Sequence, residues 1–228
     1  MSGYTLAIEG STYAGSVALL NDDSVIAERT LADSGIPSRE GRDENVLPSV
    51  ASCFDDAGVS VDEIDRVVCG AGPGSFTSLR IAASVAKGIA VGTGSPMFSV
   101  PSLLLSVASI HNGPLPGPYL SVLPAMRDEW FGILAEVSEE GVIASRGDAF
   151  IIGDRDLAQT ARRHEARLLG PRQEVDARPH ARGVLRLMDQ IIAAGPVAIE
   201  SWEPDYGRLA EAQVRWEATH GRPLAAGA

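Results

Sequence analysis

Two parts of this chain repeat one another. Residues 119–127 (YLSVLPAMR) lie over residues 4–12 (YTLAIEGST), 130–137 takes the place of a second strand at 13–20, and 142–146 (VIASR) lies over 25–29 (VIAER). The turn before the third stretch is two residues longer in the second copy. Each stretch has the apolar, β-branched composition of a buried strand, and turn residues such as Asn21-Asp22-Asp23 separate them. Three strands in one order, written twice, predict a duplicated α/β architecture built from β-β-β-α units. A Pro- and Gly-rich segment at 111–118 (HNGPLPGP) stands between the copies and sets the expected lobe boundary.

Within the first half, Val67 and Val68 run into a turn with glycine at Gly70, Gly72 and Gly74 and a proline at Pro73. A helical pattern follows over 76–91, with Ser75 as the expected N-cap. Ser78, Ala82, Ala86 and Ala90 recur every four residues on it, beside the apolar row Ile81, Val85 and Ile89. Small residues at that spacing let another helix come close. A second helical pattern covers 45–57, with Val46, Val50 and Phe54 at apolar spacing and Pro48 in its first turn. The remaining pattern predicts a loop over 33–44, strands at 97–100, 168–169 and 197–199, and helices at 102–110 (capped by Ser102), 157–167, 181–194 and 209–217.

The stretch 72–90 (GPGSFTSLRIAASVAKGIA) resembles the signature of the TsaB family, Gly-Pro-Gly-Ser-Phe-Thr-Gly-Leu-Arg before an alanine-rich helix, with Ser78 as the one departure in that core. The turn Glu203-Pro204-Asp205-Tyr206-Gly207-Arg208 resembles the C-terminal end of the same family. The resemblance implies an actin-like (ASKHA) fold of two lobes, each a mixed sheet with flanking helices, the second reduced. Residues 1–110 and 119–200 are the expected lobes, and 201–228 is expected to pack back on the first. It also implies a cytoplasmic, non-catalytic subunit that supports the catalytic subunit TsaD, with TsaE joining as an ATPase, in making threonylcarbamoyladenosine in tRNA. In isolation the chain is expected to form a homodimer. The pairing surface implied by the family is the helix at 45–57 with the helix at 76–91. That gives Val46, Val50, Phe54, Ser78, Leu79, Ala82, Ala86, Lys87 and Ala90 as expected partner contacts.

The actin-like fold places an acid at the end of the first strand of each lobe. Here the first is Glu9, in Glu-Gly-Ser-Thr where the family reads Asp-Thr-Ser-Thr, and its repeat counterpart is Pro124, which has no acid to offer. Glu9, Ser11, Thr12, Gly72, Gly74 and Ser75 are the residues of a degenerate nucleotide site, and nucleotide binding stays open at this point. No lysine follows the glycines at the Walker spacing, and no nucleophile elbow is present. His111, His164, His180 and His220 are scattered singly, and 41–48 has no histidine where TsaD carries a metal-binding pair. No catalytic residue, metal site or cofactor is therefore expected. A small-molecule kinase or nucleotide-binding protein of the same fold, or a metallopeptidase-like protein, are the alternatives. The net charge of −11 predicts that tRNA is reached only through a partner, with Arg162, Arg163 and Arg167 as a local basic patch. Cys53 and Cys69 read as buried, reduced thiols. No apolar run is long enough to span a membrane, and no basic region precedes an apolar core at the start, so a cytoplasmic setting is expected.

Overall fold

The computed structural model describes residues 3–31, 45–207 and Thr219. Its first sheet begins as an antiparallel meander, β1 (Tyr4–Glu9), β2 (Ser16–Leu20) and β3 (Val25–Thr30). After α1 (Val46–Ala57), β4 (Ile64–Gly70) returns parallel to β1 on its free side. Then α2 (Phe76–Thr93) leads to β5 (Met97–Val100), parallel to β4, for an order β3-β2-β1-β4-β5.

The second sheet repeats that plan. Strands β6 (Gly117–Pro124), β7 (Glu129–Val137) and β8 (Ile143–Ser145) form the meander. After α4 (Leu157–Arg163), β10 (Arg167–Leu169) returns parallel to β6, so β10-β6-β7-β8 matches β4-β1-β2-β3 strand for strand. Among the described residues nothing answers to β5, and the connecting helix shrinks from 12 residues to 7. An added strand, β9 (Phe150–Gly153), pairs with β7. This is the duplicated actin-like α/β fold with a reduced second lobe.

Helix α3 (Ser102–Ala108) is buried along its whole length between the two sheets. One continuous core joins Ala7, Ala18 and Val68 of the first sheet to Leu103 and Val107 of α3, to Leu123 and Ile133 of the second sheet, and to Leu187 of α5 (Val184–Ala194). The backbone of α3 is tied to the second lobe by Ser121 Oγ donating to Leu103 O at 2.8 Å and by Arg186 donating to Ala108 O at 2.6 Å. Strand alternation sends Leu6 and Ile8 the other way, into a core covered by α1 and α2. Each fully buried leucine or isoleucine there contributes roughly 1.5–3 kcal/mol.

Several expected boundaries move, each for a local reason. β2 starts at Ser16 because a turn closed by Gly15 N–H to Thr12 O (3.1 Å) occupies the residues before it. The expected helix at 157–167 gives way to β10 after Arg163, and the one at 181–194 opens as a 3-10 turn over Ala181–Gly183. Pro101, not Ser102, holds the N-cap position of α3. Residues 197–199 form no strand. They belong to an irregular strap, 195–207, with a turn at 199–201, that leaves α5 and crosses back to the first lobe. One bond from Val197 N–H to Met97 O (2.8 Å) and the packing of Val197, Ile199 and Trp202 hold it there. The predicted loop at 33–44 and the predicted helix at 209–217 lie outside the described residues.

Candidate functional site

The carboxyl of Glu9, the acid at the end of β1, turns into the protein. Its Oε1 accepts the Ser11 amide at 2.5 Å and its Oε2 accepts the Ser102 hydroxyl at 2.9 Å. The same Ser102 Oγ accepts the Gly72 amide at 3.0 Å, and Ser102 N–H donates to Gly72 O at 2.9 Å. Glu9 thereby joins the end of β1, the glycine turn and the start of α3. Gly70 makes room for it, because a Cβ there would collide with Glu9 Oε2. Gly72 sits at φ +85° with the Asp205 carbonyl where a side chain would start, so the turn admits only glycine at that point. Burial pushes the Glu9 carboxyl above its ordinary pKa of 4.5, against the hydrogen bonds from Ser11 and Ser102 that favour its charged form.

The residues of the expected nucleotide site lie around this acid and the turn above it. A cavity of about 240 Å³ does open at the junction of the sheets, lined by Pro73, Leu103, Ile133, Asp148 and Asp205 among others. Of the six expected nucleotide-site residues only Gly72 reaches it. Ser11 packs under Gly74 and Ser75 N–H donates to Ser11 O at 2.8 Å, while the hydroxyls of Ser11 and Thr12 are buried without a hydrogen-bond partner among the described residues. Pro124 ends β6 as Glu9 ends β1, and is exposed. Among the described residues no three His, Cys, Asp or Glu side chains converge to hold a metal ion, and no helix is long and apolar enough to cross a membrane.

The expected partner contacts lie mostly inside the chain. Val46, Val50 and Phe54 of α1 and Ser78, Leu79, Ala82, Ala86 and Ala90 of α2 are all buried within the chain itself. The small stripe serves the protein's own core: a Cβ on Gly10 would lie 2.5 Å from Ala82 Cβ and 2.8 Å from Ser78 O, so α2 rests almost on the backbone after β1. Lys87, half-buried, sits with its ammonium 5.8 Å from the Trp202 ring centre on the strap. What α2 shows to solvent is a second row at the same spacing: Arg80, Ser84, Gly88 and Gly92, with Val91 68% exposed beside it. Nothing lies within 4 Å of where a Cβ would stand on Gly88 or Gly92. Leu47 of α1, which packs against α2, is 59% exposed. Sequence reasoning missed this row although it shares the four-residue spacing of the buried one.

The family model described as TsaD, tRNA N6-adenosine threonylcarbamoyltransferase, matches residues 36–150. A relative from Escherichia coli K12, "tRNA threonylcarbamoyladenosine biosynthesis protein TsaB", is 39% identical over 99 residues, which are 43% of this chain and 40% of that one. The protein of the same name from Bacillus subtilis is 24% identical over 92% of this chain and 96% of its own length. The chain belongs to the TsaB family. A solved Pseudomonas aeruginosa structure, of a protein with similarity to peptidase YeaZ, superposes with a TM-score of 0.74 at 26% identity, covering 90% of this chain and 100% of that one. A second, "YeaZ from Pseudomonas aeruginosa", gives a TM-score of 0.72 at 25% identity.

Where the TsaB pattern has glycine, Ser78 donates its hydroxyl to Ser75 Oγ at 2.9 Å, and Ser75 makes no side-chain cap to α2. Where the TsaB pattern has aspartate, the longer Glu9 reaches Ser102. Glu9→Gln keeps an acceptor for the Ser11 amide and a group within reach of Ser102, and is expected to fold. Glu9→Ala strands both donors, at about 1–3 kcal/mol each, and should melt well below it. Because burial raises the Glu9 pKa, the folded state binds that proton more tightly than the unfolded one. The contribution is present below 4.5 and is lost as pH rises through the folded pKa. Thermal melts across pH should therefore drift in favour of Glu9→Gln over the parent as pH rises above 4.5; a drift the other way would show a carboxylate stabilised by its site.

Proposed function

We propose that this chain is a non-catalytic docking subunit of the assembly that makes threonylcarbamoyladenosine in tRNA, and that it engages a TsaD-type catalytic subunit through the outward faces of α1 and α2. The observation that carries the reading is the outward row of α2, small and open at Gly88 and Gly92, with Val91 exposed beside it and Leu47 exposed on the neighbouring α1. A helix surface without side chains at its crest lets a partner helix approach to close packing distance. The curated relatives named for this biosynthesis supply the pathway. An acid sealed beneath a glycine turn, with proline at its repeat position, supports a structural role, since phosphoryl transfer depends on positioned charge.

In this reading the same face pairs two copies of the chain when TsaD is absent, and a TsaE-type ATPase joins the TsaD-bound assembly. The tRNA is held by the partner, because a chain of net charge −11 repels a phosphate backbone. Mixing the purified chain with TsaD of the same organism is expected to give one heteromeric species by light scattering. The isolated chain should neither turn over ATP nor bind tRNA more tightly than about 10⁻⁵ M at physiological salt. ATP turnover by the chain alone that disappears in Glu9→Ala would overturn the docking reading in favour of a kinase.

A further inference from the structure

Arg80 begins the exposed row of α2, and its guanidinium is held in place by two aromatic rings. Its central carbon lies 4.4 Å from the ring centre of Phe76 and 5.9 Å from that of Tyr206. The two rings are themselves 4.6 Å apart at 48°. Phe76 comes from the first turn of α2, whereas Tyr206 arrives on the strap. The strap is anchored at this point: Asp205 N–H donates to Ala71 O at 2.8 Å, and Gly207 N–H donates to Asp205 Oδ1 at 2.7 Å.

Arg29, Arg66, Arg146 and Arg182 each lie within ion-pair distance of a carboxylate of this chain, but Arg80 faces none among the described residues. Stacking fixes the plane of a guanidinium and leaves its N–H edge free, and that edge matches a carboxylate in a two-point contact. The side-chain ordering that such a contact demands is already in place before a partner arrives. A phosphate backbone is the poorer fit. The neighbouring cation, Lys87, is turned to Trp202, and the strap beside Arg80 carries Glu203 and Asp205. A single free guanidinium edge, with no second free cation beside it among the described residues, suits one acidic side chain, not a polyanion.

We infer that Arg80, braced by Phe76 and Tyr206, is the specificity-determining cation of the α2 docking face and receives a carboxylate of the partner subunit. The inference rests on the docking reading above and extends it, since it makes the C-terminal strap a part of the interface. Titration calorimetry of the full chain against TsaD of the same organism, at low and high salt, tests it. Arg80→Ala is expected to weaken binding about tenfold or more, as truncation of a central interface arginine does, and to flatten the salt dependence. Arg80→Lys should restore little, because an ammonium has no planar edge. Tyr206→Ala should lose part of the affinity, Tyr206→Phe should keep it, and Arg163→Ala on the other lobe should bind as the parent does.

Failure of the parent chain itself to bind TsaD overturns the docking reading and this inference with it. Parent-like affinity and salt dependence in Arg80→Ala, with the parent binding, overturns the inference alone. So does a salt-dependent affinity of the parent chain for tRNA that Arg80→Ala abolishes.

Discussion

Ala82→Trp is expected to lower the melting midpoint by up to about 10 °C, or to prevent folding, because there is no space beyond its methyl group. Ala82 is 0% exposed and faces the bare backbone of Gly10, where even one added carbon would stand 2.5 Å away. Overpacking of a closed core costs about 1–3 kcal/mol and sometimes more. For a chain of this length each kilocalorie moves the midpoint by roughly 2–4 °C. Ala86, equally enclosed, should respond in the same way. Differential scanning calorimetry of the two variants decides the matter: a parent-like midpoint would mean that this stripe is free to meet another molecule.

Gly88→Trp, on the opposite side of the same helix, should behave in the reverse manner. A side chain there meets open space, so the variant should fold and melt within a few degrees of the parent. It would place a large ring on the crest over which a partner helix must pass. Loss of close packing worth about 1.4 kcal/mol already means a tenfold loss of affinity, and a ring of this size should exceed that. Measured binding to TsaD that survives Gly88→Trp unchanged would remove the outward face of α2 from the interface.

The contrast between these variants shows where sequence reasoning reached its limit. The start of α2 was legible from the glycine turn before it, whereas its end runs past the expected residue 91 to Thr93, with Gly94 as the cap. Its buried side was not legible. Residues 78, 82, 86 and 90 and residues 80, 84, 88 and 92 both run at helical spacing, and after Arg80 both are small. Large apolar residues settle such a question, but Ile81, Val85 and Ile89 lie between the two rows and are only half-buried. The choice is made by Gly10, far away in sequence, whose missing side chain admits one row and not the other.

The duplication was legible because strand composition survives divergence, and each meander reappears in the expected order. Glu9 was legible as a distinctive acid but not as a buried one. Its orientation depends on Ser102, 93 residues later, and on the space left by Gly70. Strand β9 went unforeseen because it has no counterpart in the first copy. Arg80 could be seen as an exposed cation on a helix. Its bracing could not, because Tyr206 lies at the far end of the chain.

The wedge of α3 between the sheets bears on how the chain can be divided. The proline- and glycine-rich stretch after α3 looks like a place to cut, and a fragment ending there would keep all five strands of the first sheet. It would also keep α3 with Leu103, Leu105 and Val107 stripped of the second sheet and of α5, their partners in the shared core. The complementary fragment would lose the helix that fills its inner face. Neither half therefore owns a complete interior. The gene segment that encodes one β-β-β-α copy is a unit of ancestry, whereas the unit of folding is the pair.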